Sequence, residues 1–116
     1  MREVTEHRVD ACNERIRVWA DPDNRGDNHA YIAEWDNGAT GGVARIDFQV
    51  GAVGLGLGVN GITNEVLLAI VSDRLKQFQQ GPAYCQENDR VIDSIQTAMF
   101  WLAERSNRVA SEKTAA

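Results

Sequence analysis

Gly81-Pro82 divides the second half of the chain into two amphipathic segments, and this turn constrains the fold more than any other feature. Before it, Val66, Leu67, Ile70, Val71, Leu75 and Phe78 recur at helical spacing, while Asp73, Lys76 and Gln77 fall outward. Glycine followed by proline ends a helix and reverses the chain. After the turn, Val91, Ile92, Ile95, Met99 and Leu102 form a second stripe, with Phe100 and Trp101 displaced to one side. The expected product is an antiparallel two-helix hairpin. Its first helix starts near Thr63, whose hydroxyl can cap orphan N–H groups, with Glu65 in the first turn. Its second runs from about Cys85 or Glu87 to about Arg108. Phe100 and Trp101 widen the apolar face beyond what one partner helix covers, which predicts packing on a sheet or on a second subunit.

Upstream, the period changes from helical to two. Ile16, Val18 and Ala20 alternate with Arg15, Arg17 and Trp19, as in a half-buried strand. The stretch DPDNRGDNH is turn chemistry, with Pro22 fixing φ and Gly26 permitting positive φ. A second strand is expected over residues 30–35, with Tyr31, Ala33 and Trp35 on one face, then a turn at Asp36-Asn37-Gly38. A third, over 43–50, puts Ala44, Ile46, Phe48 and Val50 opposite Arg45, Asp47 and Gln49. In GAVGLGLGVNG, Val53, Leu55, Leu57 and Val59 alternate with glycines, so one face is bare backbone and open to close approach. Gly56, Gly58 and Gly61 also fit G-x-G-x-x-G, but a dinucleotide fold needs a parallel strand after the helix, and here another helix follows. The fold class expected is α+β in a single domain. A small N-terminal antiparallel β-sheet of three to four strands (about 14–59) precedes a C-terminal two-helix antiparallel hairpin (about 60–108). The ends, 1–13 and 109–116, are expected to be flexible, although the polar N-terminal segment also suits a short helix.

The 116 residues suffice for one modest core. A net charge of −5 argues against a duplex nucleic-acid binder, which must neutralise many phosphates, whereas a small anion needs only a few placed arginines. No apolar stretch approaches a membrane span, the start MREVTEH is no signal peptide, and Cys12 and Cys85 follow no metal-ligand spacing. These features predict a soluble cytosolic protein with free thiols, no metal and no cofactor.

The turn concentrates the candidate chemistry: Phe78, Pro82, Tyr84, Cys85, Glu87 and Asn88. Phe78 reads as a core residue or as a stacking surface for a base. Asn88 reads as a helix cap or as an amide that contacts a base edge or ribose. Arg105 and Arg108 suit the last turn of a helix, and their planar forks also suit a pyrophosphate. Asp73 and Arg74 read most simply as a solvated helix pair. A Cys85–His29 pair has no support from spacing, and the acids are scattered, so no catalytic residues are expected.

The pieces GVNGITNE, DRLKQFQQGP, YCQEN and AMFWLAER, spread over residues 58–105, resemble the hairpin domain of the phage Thoeris anti-defence family, first type, which is also similar to the anti-CBASS sponges. The resemblance implies a phage protein acting in the cytoplasm of the infected bacterium. It would sequester cyclic ADP-ribose isomers made by TIR-domain enzymes without cleaving them. It implies sites formed between subunits of a homodimer, dimers that can build hexamers, and in some relatives a separate site for cyclic di- or trinucleotides. Residue by residue, it implies adenine contact at Phe78, a polar contact at Asn88 and phosphate binding at Arg105. The family's second arginine falls at Val109 in this chain, with Arg108 one position early, and its usual basic residue after the cysteine is Gln86. Either Arg108 serves instead or one phosphate contact is absent. Two other readings stay open. One is a small phage regulator or adaptor that binds a protein through the apolar helix face; the other is an enzyme that cleaves the same nucleotides.

Overall fold

A computed structural model describes residues 1–22, 28–51 and 58–115, which divide into two compact units, Met1–Ile62 and Thr63–Ala116. The first unit is a four-stranded antiparallel meander in chain order: β1 (Arg2–Val4), β2 (Ile16–Pro22), β3 (Asn28–Asp36) and β4 (Gly41–Asp47). The second holds α1 (Asn64–Phe78) and α2 (Gln86–Ala115), so the α+β class expected from the sequence is observed.

Period-two patterning sets the two faces of the sheet. The register pairs Val18 with both Val4 and Ala33, and Ala20 with Tyr31, which gathers the apolar positions on one side. Ala20 is completely buried there, and Tyr31 meets Phe48 edge-to-face at 5.7 Å. The other side carries a chain of polar contacts. Glu3 accepts hydrogen bonds from Arg8 and Arg17, Arg17 lies over the Trp19 ring, and the Trp19 indole donates to Glu34 at 2.6 Å.

The N-terminal segment, expected to be flexible or helical, instead supplies β1 and a short 3-10 turn (Asn13–Arg15), and His7 bonds the Ile16 carbonyl. Asp36-Asn37-Gly38 turns as expected, with the Asp36 and Asn37 side chains accepting backbone N–H groups and Gly38 at φ 94°. The strand expected to reach Val50 stops at Asp47. Beyond it, Phe48 N–H still bonds the His29 carbonyl of β3 at 2.7 Å, and Phe48 forms an isolated parallel bridge with Ile62. Gln49 and Asn60 clasp the chain just beyond. Gln49 accepts from Asn60 N–H at 3.0 Å and donates to the Gly58 carbonyl at 2.9 Å, while Asn60 accepts from Val50 N–H at 2.8 Å. The alternation read at Val53, Leu55 and Leu57, and the turn read around Gly26, lie outside the described residues.

Thr63 caps α1 as its hydroxyl predicts, accepting from Val66 N–H at 3.2 Å. Ile92 and Ile95 are the buried apolar residues described in this unit, and Ser72 is buried with them. Phe100 and Trp101 meet edge-to-face at 5.2 Å yet stay 55% and 65% exposed. α2 runs past the Arg108 boundary expected from composition, to Ala115. An Arg108–Glu112 ion pair at 2.7 Å bridges one turn of the added segment.

A Cβ on Gly61 would lie 2.5 Å from the Phe48 backbone carbon, whereas one on Gly81 would meet nothing. Gly61→Ala is expected to cost about 1–3 kcal/mol by overpacking and Gly81→Ala much less, as read from thermal unfolding. Equal midpoints would refute the close approach. The hydrogen bond from Arg17 also holds the Glu3 carboxyl below its ordinary range. Because the folded value is the lower one, this small contribution is present above the ordinary glutamate range and is lost as pH falls through the lowered value. An NMR titration of Glu3 should give a midpoint that rises in Arg17→Ala; an unmoved midpoint would exclude the pair as its cause.

Candidate functional site

The loop between the helices is short, and most of its polar groups are spoken for. α1 closes with Gln80 N–H on the Gln77 carbonyl and Gly81 N–H on the Phe78 carbonyl. Tyr84 N–H then returns to the Gly81 carbonyl at 3.1 Å, a four-residue turn with Pro82 in the position where its fixed φ is favourable. The Gln79 side chain spans the whole loop. Its Nε2 donates to the Cys85 carbonyl at 2.8 Å and to Asp89 at 2.7 Å, and its Oε1 accepts from Cys85 N–H and from Asn88 Nδ2, each at 3.2 Å. Tyr84 hydroxyl donates to the other Asp89 oxygen at 3.4 Å. Glu87 and Asp89 lie in the first turn of α2, where negative charge suits the helix dipole.

Phe78 is half-buried at the last position of α1, and the Arg74 guanidinium sits 4.9 Å from its ring centroid. Arg74 therefore covers one face of the ring by a cation–π contact, a role unlike the Asp73 pairing expected from sequence. Asp73 accepts from Gln77 instead. Asn88 is half-buried; Pro82, Tyr84 and Glu87 are exposed.

The two arginines stand apart from this cluster. Asn88 and Arg105 belong to one continuous helix and are separated by about 25 Å along its axis, at ~1.5 Å per residue. Arg105 is exposed and has no ion-pair partner among the described residues; Arg108 is engaged by Glu112. The fold thus brings Tyr84 and Asn88 together through Gln79 and Asp89, places Phe78 next to Gln79 in the chain, and keeps Arg105 and Arg108 remote. Between these ends, Arg90, Val91, Ser94, Ile95 and Ala98 line a shallow groove of about 320 Å³.

Gln79 and Asp89 are the polar residues that sequence reasoning passed over. The available signal was a glutamine directly after the last apolar residue of α1, two residues before a glycine-proline pair.

An antiparallel sheet followed by a helical hairpin, with an aromatic and an amide near the hairpin turn, defines a small hairpin-domain protein. Residues 41–106 match the family model described as Acb2/Tad1, hairpin domain, and the chain belongs to that family. It is also 37% identical over 82 residues to Thoeris anti-defense 1 of Bacillus phage SBSphiJ7, covering 71% of this chain and 56% of that protein. The chain spans little more than half the length of this relative.

Proposed function

We propose that this protein is a phage anti-Thoeris sponge that acts inside the host. It binds a cyclic ADP-ribose isomer from TIR enzymes and holds it intact, so that the defence effector is not activated. The relative's name and the family supply the biological setting. The observation that carries the site is the separation of Asn88 from Arg105 along one helix. A compact, ring-closed ADP-ribose cannot bridge about 25 Å, so residues acting on one ligand must come from two copies of the chain.

In this reading Phe78 stacks on adenine through the face that Arg74 leaves free, Asn88 contacts a polar group, and Pro82, Tyr84 and Glu87 shape the turn. Arg105 of the second copy, with Arg108 beside it, takes the pyrophosphate. The apolar face bearing Phe100 and Trp101 gains an occupant, namely the other copy. Useful sequestration demands nanomolar binding, about −12 kcal/mol. Stacking at ~1–3 kcal/mol per base and a few charge-assisted hydrogen bonds reach that scale only in an enclosed, preorganised site, which an interface provides. Assembly of such dimers into hexamers, and a separate site for cyclic oligonucleotides, belong to the same proposal.

The decisive assay mixes the protein with signal from an activated TIR enzyme, filters it, measures free ligand, then heat-denatures the retained protein and measures again. Depletion followed by release of unaltered signal is expected, and Phe78→Ala or Asn88→Ala should abolish depletion without dissociating the oligomer. Altered product would mean an enzyme. Signal that is never depleted would favour the adaptor reading, which the exposed Phe100 and Trp101 support. The two-copy site has its own check. Asn88→Ala and Arg105→Ala chains, each inactive alone, should regain about a quarter of wild-type capacity when co-assembled, because half of randomly mixed dimers carry one intact site of two. No recovery would refute a site shared between Asn88 of one copy and Arg105 of the other.

A further inference from the structure

The bonds of the Gln79 carboxamide to Cys85 have fixed directions. Oε1 accepts the Cys85 backbone N–H at 3.2 Å, and Nε2 donates to the Cys85 carbonyl at 2.8 Å. Backbone groups cannot exchange donor and acceptor roles, so this two-point contact admits one orientation of the amide. Turned over, it would set oxygen against oxygen and N–H against N–H. Asp89, acceptor-only when ionised, takes an Nε2 hydrogen at 2.7 Å and reinforces the choice.

That direction passes to the next group. Asn88 lies with Nδ2 3.2 Å from Gln79 Oε1, an atom that can only accept. The nitrogen of Asn88 must therefore face Gln79, and its carbonyl Oδ1 is turned elsewhere. Asn88 is half-buried, so a wrongly turned amide would be costly once a ligand covered it.

We propose that Gln79 is the positioning residue of the ligand site. It holds Asn88 so that Oδ1 is presented as an acceptor, and the group Asn88 reads is a hydrogen-bond donor on the ligand. An adenine exocyclic amine or a ribose hydroxyl meets that requirement; a phosphate oxygen does not. The inference deepens the sponge reading and rests on its assignment of Asn88 as a ligand contact.

The test is a double-mutant cycle on Gln79→Met and Asn88→Ala, with the cyclic ADP-ribose isomer from an activated TIR enzyme as probe and circular dichroism as a check on folding. Gln79→Met should bind about tenfold more weakly, the scale of one oriented hydrogen bond. The double variant should bind no more weakly than Asn88→Ala alone. Additive losses, or full affinity in Gln79→Met, would overturn the positioning role. Full affinity in Asn88→Ala would overturn the underlying site reading as well, and that single variant separates the two failures. Should Gln79→Met not fold, Gln79→Glu serves. Its ionised carboxylate faces the Cys85 carbonyl and Asp89 unfavourably, whereas its protonated form again offers one donor and one acceptor. Relative to wild type at the same pH, its affinity should recover as pH falls; a pH-independent deficit would count against the proposal.

Discussion

A helical hairpin depends on what happens to the backbone groups at its turn. The last carbonyls of one helix and the first N–H groups of the next have no intrahelical partners, and burying them unpaired is costly. In this protein backbone N–H groups of Gln79, Gln80 and Gly81 close the last carbonyls of α1, and one side chain supports the start of α2. The Gln79 carboxamide pairs with both backbone groups of Cys85, as a neighbouring strand would, and then engages Asp89 and Asn88 in the first turn of α2. A cysteine just before a helix is a weak cap, so this start of α2 draws its support from across the loop. The bonds that close the turn also orient the amide assigned to the ligand.

Elsewhere the two units hold themselves together sparingly. Among the described residues the buried apolar positions are Ala20, Ile92 and Ile95, while Ile70, Phe100 and Trp101 are each more than half exposed. Full burial of a large apolar side chain is worth about 1.5–3 kcal/mol, so this exposure leaves a considerable share of the available stabilisation unused in a single chain. A second copy covering that face would recover it. In the proposed two-copy site, the same interface would bury the aromatics and bring Arg105 of one copy toward Asn88 of the other.

Long periodic signals were legible in the sequence; short and three-dimensional ones were not. The alternation at Ile16, Val18 and Ala20 and the Thr63 cap are local and appear where the residues place them. Helix α1 forms where its stripe predicts, although Val66, Ile70 and Val71 of that stripe stay exposed. The strand Arg2–Val4 is too short to show a period; it is defined by its pairing with β2, where Glu3 also meets Arg17. The bridge from Phe48 to Ile62 depends on Gly61, far along the chain, allowing close backbone approach. α2 outruns its expected end because extending an established helix costs little, and Ala, Glu and Lys are good helix formers whether or not a core lies beneath them. Gln79 escaped notice for the same reason as Phe48: a carboxamide has no role until the fold decides what lies opposite.

The displaced second arginine can be weighed in the same terms. On a helix, positions three and four beyond Arg105 flank its face on either side, so Arg108 lies beside that face, as Val109 does. Its present partner is Glu112, in a pair whose side chains are 62% and 61% exposed. Such a pair is worth about 0.3–0.5 kcal/mol, against about 1.5–3 kcal/mol for a hydrogen bond to a charged group. A pyrophosphate enclosed between two chains would therefore outcompete Glu112 for the guanidinium. In the proposed site the one-residue shift would not by itself remove a phosphate contact, because releasing Arg108 from Glu112 costs less than a charge-assisted bond would return.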